Sequence, residues 1–192
     1  MRRTLPLLVL VLAVAFALSP LASDGFNGFT RDQFPVVNDF WPVQPAGWAF
    51  SIWGVIYLWL IAGSAYGLWR AADAPDWQPM RGPLALSLGI GVFWIAAANR
   101  SPVLATVMIV AMAAAAIVAV IRSGRTDSAW QSAPVGLYAG WLTAATGTAV
   151  GVVLSGYGFL SPQVAAVIML PLLLLVALFV QGRRPDVWTY PV

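Results

Sequence analysis

The sequence has no cysteine and no histidine, and across its 192 residues there is also no lysine and no glutamate. Without cysteine there can be no disulfide and no thiolate chemistry. Without histidine or cysteine the usual ligands of zinc, haem iron and iron–sulfur clusters are missing, so no metal site is expected. The general bases and covalent nucleophiles that remain are Asp, Ser, Thr and Tyr, and no catalytic residue stands out among them. Charge is scarce as well. Only 9% of residues are charged, against about 25% in soluble domains.

Hydrophobic residues, at 60% of the chain, are too many for one water-soluble core of this size, so apolar surface must face lipid. Six apolar runs stand out, at residues 5–22, 48–69, 84–98, 103–121, 135–155 and 164–180. A helical span needs ~20 residues. The third run is short, with Pro83 and Asn99 at its ends in the interface. The expected fold is all-α, a polytopic transmembrane bundle of about six helices forming one domain over residues 1–192. An extramembrane loop covers residues 23–46, and residues 183–192 form a short tail. The other connections are short, which makes neighbouring helices antiparallel.

The arginines indicate the orientation. With the N-terminus inside, Arg2, Arg3, Arg70, Arg81, Arg122, Arg125, Arg183 and Arg184 are cytoplasmic, and only Arg31 and Arg100 are outside. This is the positive-inside asymmetry, with both termini cytoplasmic, as in a bacterial inner-membrane protein. The basic surplus therefore reads as membrane topology, and the expected partner is the lipid bilayer rather than nucleic acid. Met1-Arg2-Arg3 followed by an apolar run also resembles a signal peptide. Pro20 just after Ala17 and Ser19 makes a poor cleavage site, so a retained helix is the reading adopted. Cleavage would leave five helices.

Small residues predict close helix packing: Gly63/Gly67, Ala113 to Ala116, Gly136/Gly140 and Gly147/Gly151. The leucine-rich sixth run lacks such a stripe and reads as peripheral and lipid-facing, bent at Pro171. No Asp or Arg lies deep in a span, which counts against a proton-coupled pump or an ion channel. Aromatic surface is abundant instead, with ten Trp. Trp41, Trp69, Trp77, Trp130 and Trp188 sit where an interfacial aromatic belt is expected. On the second run, Trp53, Tyr57, Leu60 and Ser64 share a stripe opposite Trp48, Trp59 and Tyr66. On the fifth, Tyr138, Trp141, Ala145, Thr148 and Val152 align; on the third, Ser87, Gly91, Trp94 and Ala98. These stripes can be ordinary helix packing or the walls of a pocket for a flat, apolar ligand.

Pro45-Ala46-Gly47-Trp48, Trp53-Gly54-x-x-Tyr57 and Gly63-Ser64-x-Tyr66-x-Leu68-Trp69-Arg70, followed by Leu84-Ala85-Leu86-Ser87 and Leu137-Tyr138-Ala139-Gly140-Trp141-Leu142, resemble the tryptophan-rich sensory protein and translocator protein (TspO/MBR) family. The second-run motif is the most specific part. Ala46 stands for a second proline, the Trp48-to-Trp53 spacing is one residue short, and Ser87 and Ala149 stand where asparagines are expected. The family has five helices, so the sixth run marks a divergent branch with an extra C-terminal helix. The resemblance implies a receptor-like or transport protein that binds a porphyrin, another tetrapyrrole or a sterol-like molecule beneath the first loop, with no cofactor required. It places Trp48, Trp53, Tyr57 and Trp141 in the cavity wall, with Trp41 and Asp39 in the lid loop; Tyr138 and Trp94 join them from their stripes. Three alternatives stay open: an uncoupled small-molecule transporter, a structural or assembly subunit, and light-dependent porphyrin breakdown. A homodimer is compatible with the sequence.

Overall fold

The computed structural model describes residues 3–23 and 25–191. Among these residues there are six α-helices and no strand: α1 (Thr4–Leu18), α2 (Ile52–Trp69), α3 (Gln78–Ala98), α4 (Pro102–Arg122), α5 (Ser132–Gly156) and α6 (Pro162–Arg183). Short 3-10 turns extend α1 over Ser19–Ala22 and lead into α2 over Gly47–Ser51. All six helical segments are long and apolar enough to cross a membrane, so the chain is an integral membrane protein of the helical class.

Local chemistry explains the helix starts. Proline occupies the first turn of α3, α4 and α6, where its missing N–H costs nothing and its φ is already helical. Ser101 and Ser161 cap α4 and α6 by accepting hydrogen bonds from the amides of Leu104 and Val164, both at 3.3 Å. Beyond the end of α5, Gly158 takes a φ of +77°, a left-handed conformation that glycine adopts without steric penalty.

The helices form a closed ring in the order α2, α1, α3, α4, α5, and α6 packs outside the ring against α5. Closure between α5 and α2 is concentrated at the face where α1 begins and α6 ends. There the Gly63 face of α2 lies directly on the Trp130 backbone carbonyl and Pro134, and the Trp59 indole donates to the Ala129 carbonyl at 2.8 Å. At the face covered by the first loop the same seam is filled by aromatic side chains.

The third helix starts at Gln78 rather than near residue 84, and Pro83 lies inside it. Gln78 and Arg81 look like loop residues in a hydropathy reading, but they are the polar first turns of a helix that runs past the apolar run. Helix α6 likewise continues through Pro171. Its exposed leucines, among them Leu172, Leu174, Leu175 and Leu178, face outward as expected of a lipid-facing helix. The belt reading fits Trp69 and Trp188, which are 73% and 69% exposed, and half fits Trp130. It does not fit Trp77 or Trp41, which are buried. Trp77 sits against Gly67 and stacks on Tyr66, while Trp41 packs against Phe34.

The glycine pairs accept closer neighbours than another helix. Gly136 touches Val187 and Thr189, and Gly140 faces the backbone carbonyl of Tyr190. The segment after α6 therefore folds back onto α5. Thr189 donates to the Ala133 carbonyl at 2.7 Å, and the Tyr190 and Thr143 hydroxyls lie 3.0 Å apart. With α4 and α2 against its other faces, this covering leaves every residue from Ser132 to Gly140 buried. Only Gly147 and Gly151 meet α6, through Leu173 and Met169, and Gly151 also meets Val43 of the first loop. A Cβ at position 140 would overlap backbone rather than a flexible side chain. Gly140→Ala is therefore expected to displace the tail at a cost on the order of 1–3 kcal/mol, seen as faster proteolysis of residues 184–191. Gly182, which has open space around its α-carbon, supplies the control: Gly182→Ala should leave the tail protected. Equal protection in both variants would refute the tail-docking account.

Candidate functional site

The first loop folds inward because it is not uniformly polar. Phe29 and Phe34 are buried, and Phe26 stacks edge-on to both Phe29 and Trp94, with ring centroids 5.2 and 4.9 Å apart. Polar bonds pin the loop to the helix ends. Gln33 donates to the Ala98 carbonyl at 2.9 Å, Asn38 to the Ser155 carbonyl at 3.2 Å, and Thr148 to the Val43 carbonyl at 3.0 Å. The loop thus makes a fixed roof over the ring.

Two chambers lie beneath this roof. The inner one, about 250 Å³, is lined by Phe26, Phe29, Val43, Gln44 and Phe50 above and by Trp53, Trp94, Ile109, Trp141 and Thr148 below, with Leu170 and Leu173 of α6 at its side. The outer one, about 460 Å³, lies toward α1 and is lined by Phe16, Asn27, Trp48, Trp53, Tyr57 and Trp94 among others. Phe26, Phe50, Trp53 and Trp94 line both chambers and form the partition between them.

The walls are held by aromatic contacts. Trp53 stacks on Tyr57 at 5.2 Å and stands edge-on to Trp141 at 6.3 Å. Phe16 of α1 packs against Trp53, Tyr57 and Tyr138. Such edge-to-face pairs contribute ~0.5–1.5 kcal/mol each beyond area burial. Trp94 is fixed by donating to the Ala105 carbonyl at 2.9 Å. Tyr138 is fully buried, with its hydroxyl 2.8 Å from that of Ser87. Ser87 also donates toward the Met112 carbonyl. This serine, standing where the resemblance leads one to expect asparagine, ties α3 to α4 and α5 and lines neither chamber.

Of the residues singled out from the sequence, the structure brings Trp53, Trp94 and Trp141 together at the inner chamber and Trp48, Trp53, Tyr57 and Trp94 at the outer one. Trp48 is 81% exposed, at the rim. Tyr138 supports the wall from behind. Trp41 is buried in the loop and lines neither chamber, and Asp39 is exposed and paired with Arg31 at 2.8 Å. Sequence reasoning missed Phe16, Phe26, Phe29, Phe50, Gln44 and the two α6 leucines. The signal for the loop residues was present: five phenylalanines between residues 26 and 50 in a glycine- and proline-rich connection imply something to bury against.

Polar groups near the inner chamber are few. The Trp141 indole nitrogen and the Gln44 side-chain oxygen are buried without a hydrogen-bond partner. A buried unpaired polar group costs ~1–3 kcal/mol, so each is an unmet demand beside an apolar space. Among the described residues no cluster of potential metal ligands occurs.

Comparison with known proteins gives one result. No curated protein and no solved structure matches this chain significantly. The family model described as TSPO-like protein matches residues 6–192, a span that takes in α6 and the docked tail. With a match running almost from end to end over a closed five-helix ring plus α6, the chain belongs to the TSPO-like protein family.

Proposed function

We propose that this protein binds a flat, mostly apolar molecule of the tetrapyrrole or sterol-like class in the chambers beneath the first loop, for sensing or transport. The observation that carries this reading is the inner chamber. It has a rigid aromatic wall of Trp53, Trp94 and Trp141, together with an unpaired indole N–H on Trp141. Ligand sites are typically concave, largely apolar and supplied with a few polar groups that set orientation. The distribution of arginines supports placing both termini in the cytoplasm of a bacterial inner membrane, with the roofed chambers at the outer leaflet.

The test is a titration of purified protein with protoporphyrin IX, its dimethyl ester and a fluorescent sterol, read from ligand absorbance or emission. Saturable binding of at least one is expected. Removing a wall ring deletes ~1.5–3 kcal/mol of apolar burial, so Trp53→Ala with Trp141→Ala should weaken binding at least about tenfold. Trp188→Ala, at the opposite face, should leave it unchanged. Unsaturable uptake of all three ligands, or equal affinity in the wall variant, would refute the reading.

A further inference from the structure

The chambers carry information about charge. Of the described residues lining either one, none is an Asp or an Arg. The first loop carries Arg31, already engaged by Asp39, and the α3–α4 turn carries Arg100, which is exposed; neither lines a chamber. A carboxylate drawn into such a space would lose its hydration with no cation to replace it.

The hydrogen-bonding groups are equally selective. The Thr148 hydroxyl donates to the Val43 carbonyl, and the Trp94 indole is spent on Ala105. The Gln44 amide nitrogen reaches the Phe29 carbonyl only at 3.5 Å. What remains are the indole N–H groups of Trp53 and Trp141, neither hydrogen-bonded within the protein, and the Gln44 amide, whose oxygen is unpaired. Indole donors set in an apolar wall suit neutral carbonyl, ether or hydroxyl oxygens.

The chamber is also open at its side. Leu170 is 65% exposed and Ala144 is exposed, yet both line it with Leu173. They lie within the spanning parts of α5 and α6, where the surroundings are hydrocarbon. The helix that extends the ring therefore stands beside the half of the α2–α5 seam that backbone contacts leave open.

We infer that the inner chamber selects an uncharged, bilayer-dissolved molecule bearing neutral hydrogen-bond-accepting oxygen, admitted from the lipid past Leu170 and Leu173 of α6. The inference rests on the binding reading above and narrows it, separating neutral ligands from tetrapyrrole acids that share the same ring. Protoporphyrin IX and its dimethyl ester differ in that property and little else. Binding is measured in phosphatidylcholine nanodiscs, with affinities expressed per ligand in the bilayer and empty discs as reference. The ester is expected to bind at least about tenfold more tightly than the free acid. Leu170→Trp, a change at an exposed position, should slow association several-fold without lowering the melting temperature. If the acid binds as tightly as the ester, the charge selection is wrong while the binding reading survives. If association in Leu170→Trp matches the parent, entry past α6 is wrong. If neither tetrapyrrole nor a sterol saturates, the inference and the binding reading fail together.

Discussion

Replacing Arg81 with leucine is expected to lower the apparent melting temperature of the detergent-solubilised protein by about 10 °C, a loss of ~3–5 kcal/mol at ~2–4 °C per kcal/mol. Arg81 is 2% exposed although it is charged. Its guanidinium donates to the carbonyls of Gly67, Ala71 and Ala72 at 3.0, 2.8 and 2.9 Å. These carbonyls lie at and just beyond the end of α2, where the last turn has no helical partners and a cation is favoured by the helix dipole. The guanidinium carbon also lies 5.7 Å from the Trp77 ring centre, extending a stack of Trp130, Tyr66 and Trp77. Leucine would fill much of the space, leave the Gly67 carbonyl unpaired and strip the charged donor from the Ala71 and Ala72 carbonyls, which would keep only the Ala74 amide and the Gln78 side chain. Lysine should recover only part of the loss, since a single ammonium cannot reproduce the planar fork. A melting temperature within about 2 °C of the parent in Arg81→Leu, equivalent to under ~1 kcal/mol, would show that water satisfies those carbonyls instead.

Arg81 also shows what a sequence does and does not disclose. The six spans were legible because hydropathy over ~20 residues is a bulk property that lipid enforces. The placement of Arg81 was not, because a polar residue beside an apolar run reads as loop until its acceptors are known. Pro79 in the first turn of α3 was the available signal that the helix began earlier. The small-residue pairs were legible as sites of close approach, but spacing does not name the visitor. At Gly63 it is the Trp130 backbone, at Gly67 the Trp77 ring and at Gly140 the tail. In the site, the helical stripes correctly brought Trp53, Trp94 and Trp141 to one space, since helical period fixes direction. The roof came from loop phenylalanines and the side wall from α6, and both depend on tertiary folding that no local period encodes. The tail had a compositional cue: Val187, Trp188 and Tyr190 are a dense apolar group for a short terminal segment.

That tail is held by a second buried cation, and Arg184→Ala should release it. Arg184 donates to the Val120 and Ser123 carbonyls, both at 2.6 Å, to the Ser123 hydroxyl at 2.8 Å and to the Gly124 carbonyl at 3.3 Å. It also grips Asp186 through two bonds, at 3.0 and 2.7 Å, the bidentate geometry that makes Arg–carboxylate pairs strong. Removing the guanidinium leaves the end of α4 uncapped and frees residues 185–191, at a cost of ~3–5 kcal/mol. The expected result is rapid proteolysis of the tail and exposure of Gly136 and Gly140 to solvent or lipid. The pH dependence gives an independent check. The hydrogen bond from Arg184 holds the Asp186 carboxyl below its ordinary range. Its contribution is therefore present above the unfolded value of about 3.9 and is lost as pH falls through the folded one. Burial pushes the Tyr190 phenol upward, so its contribution is present below about pH 10 and is lost as pH rises through the folded value. The parent tail should thus stay protected from about pH 4 to 10 and loosen on either side. In Arg184→Ala the acid limb should disappear, because Asp186 has lost its partner. A parent tail equally protected at pH 3 and pH 7, or an Arg184→Ala tail as resistant as the parent's, would mean that the glycine contacts on α5 alone hold it.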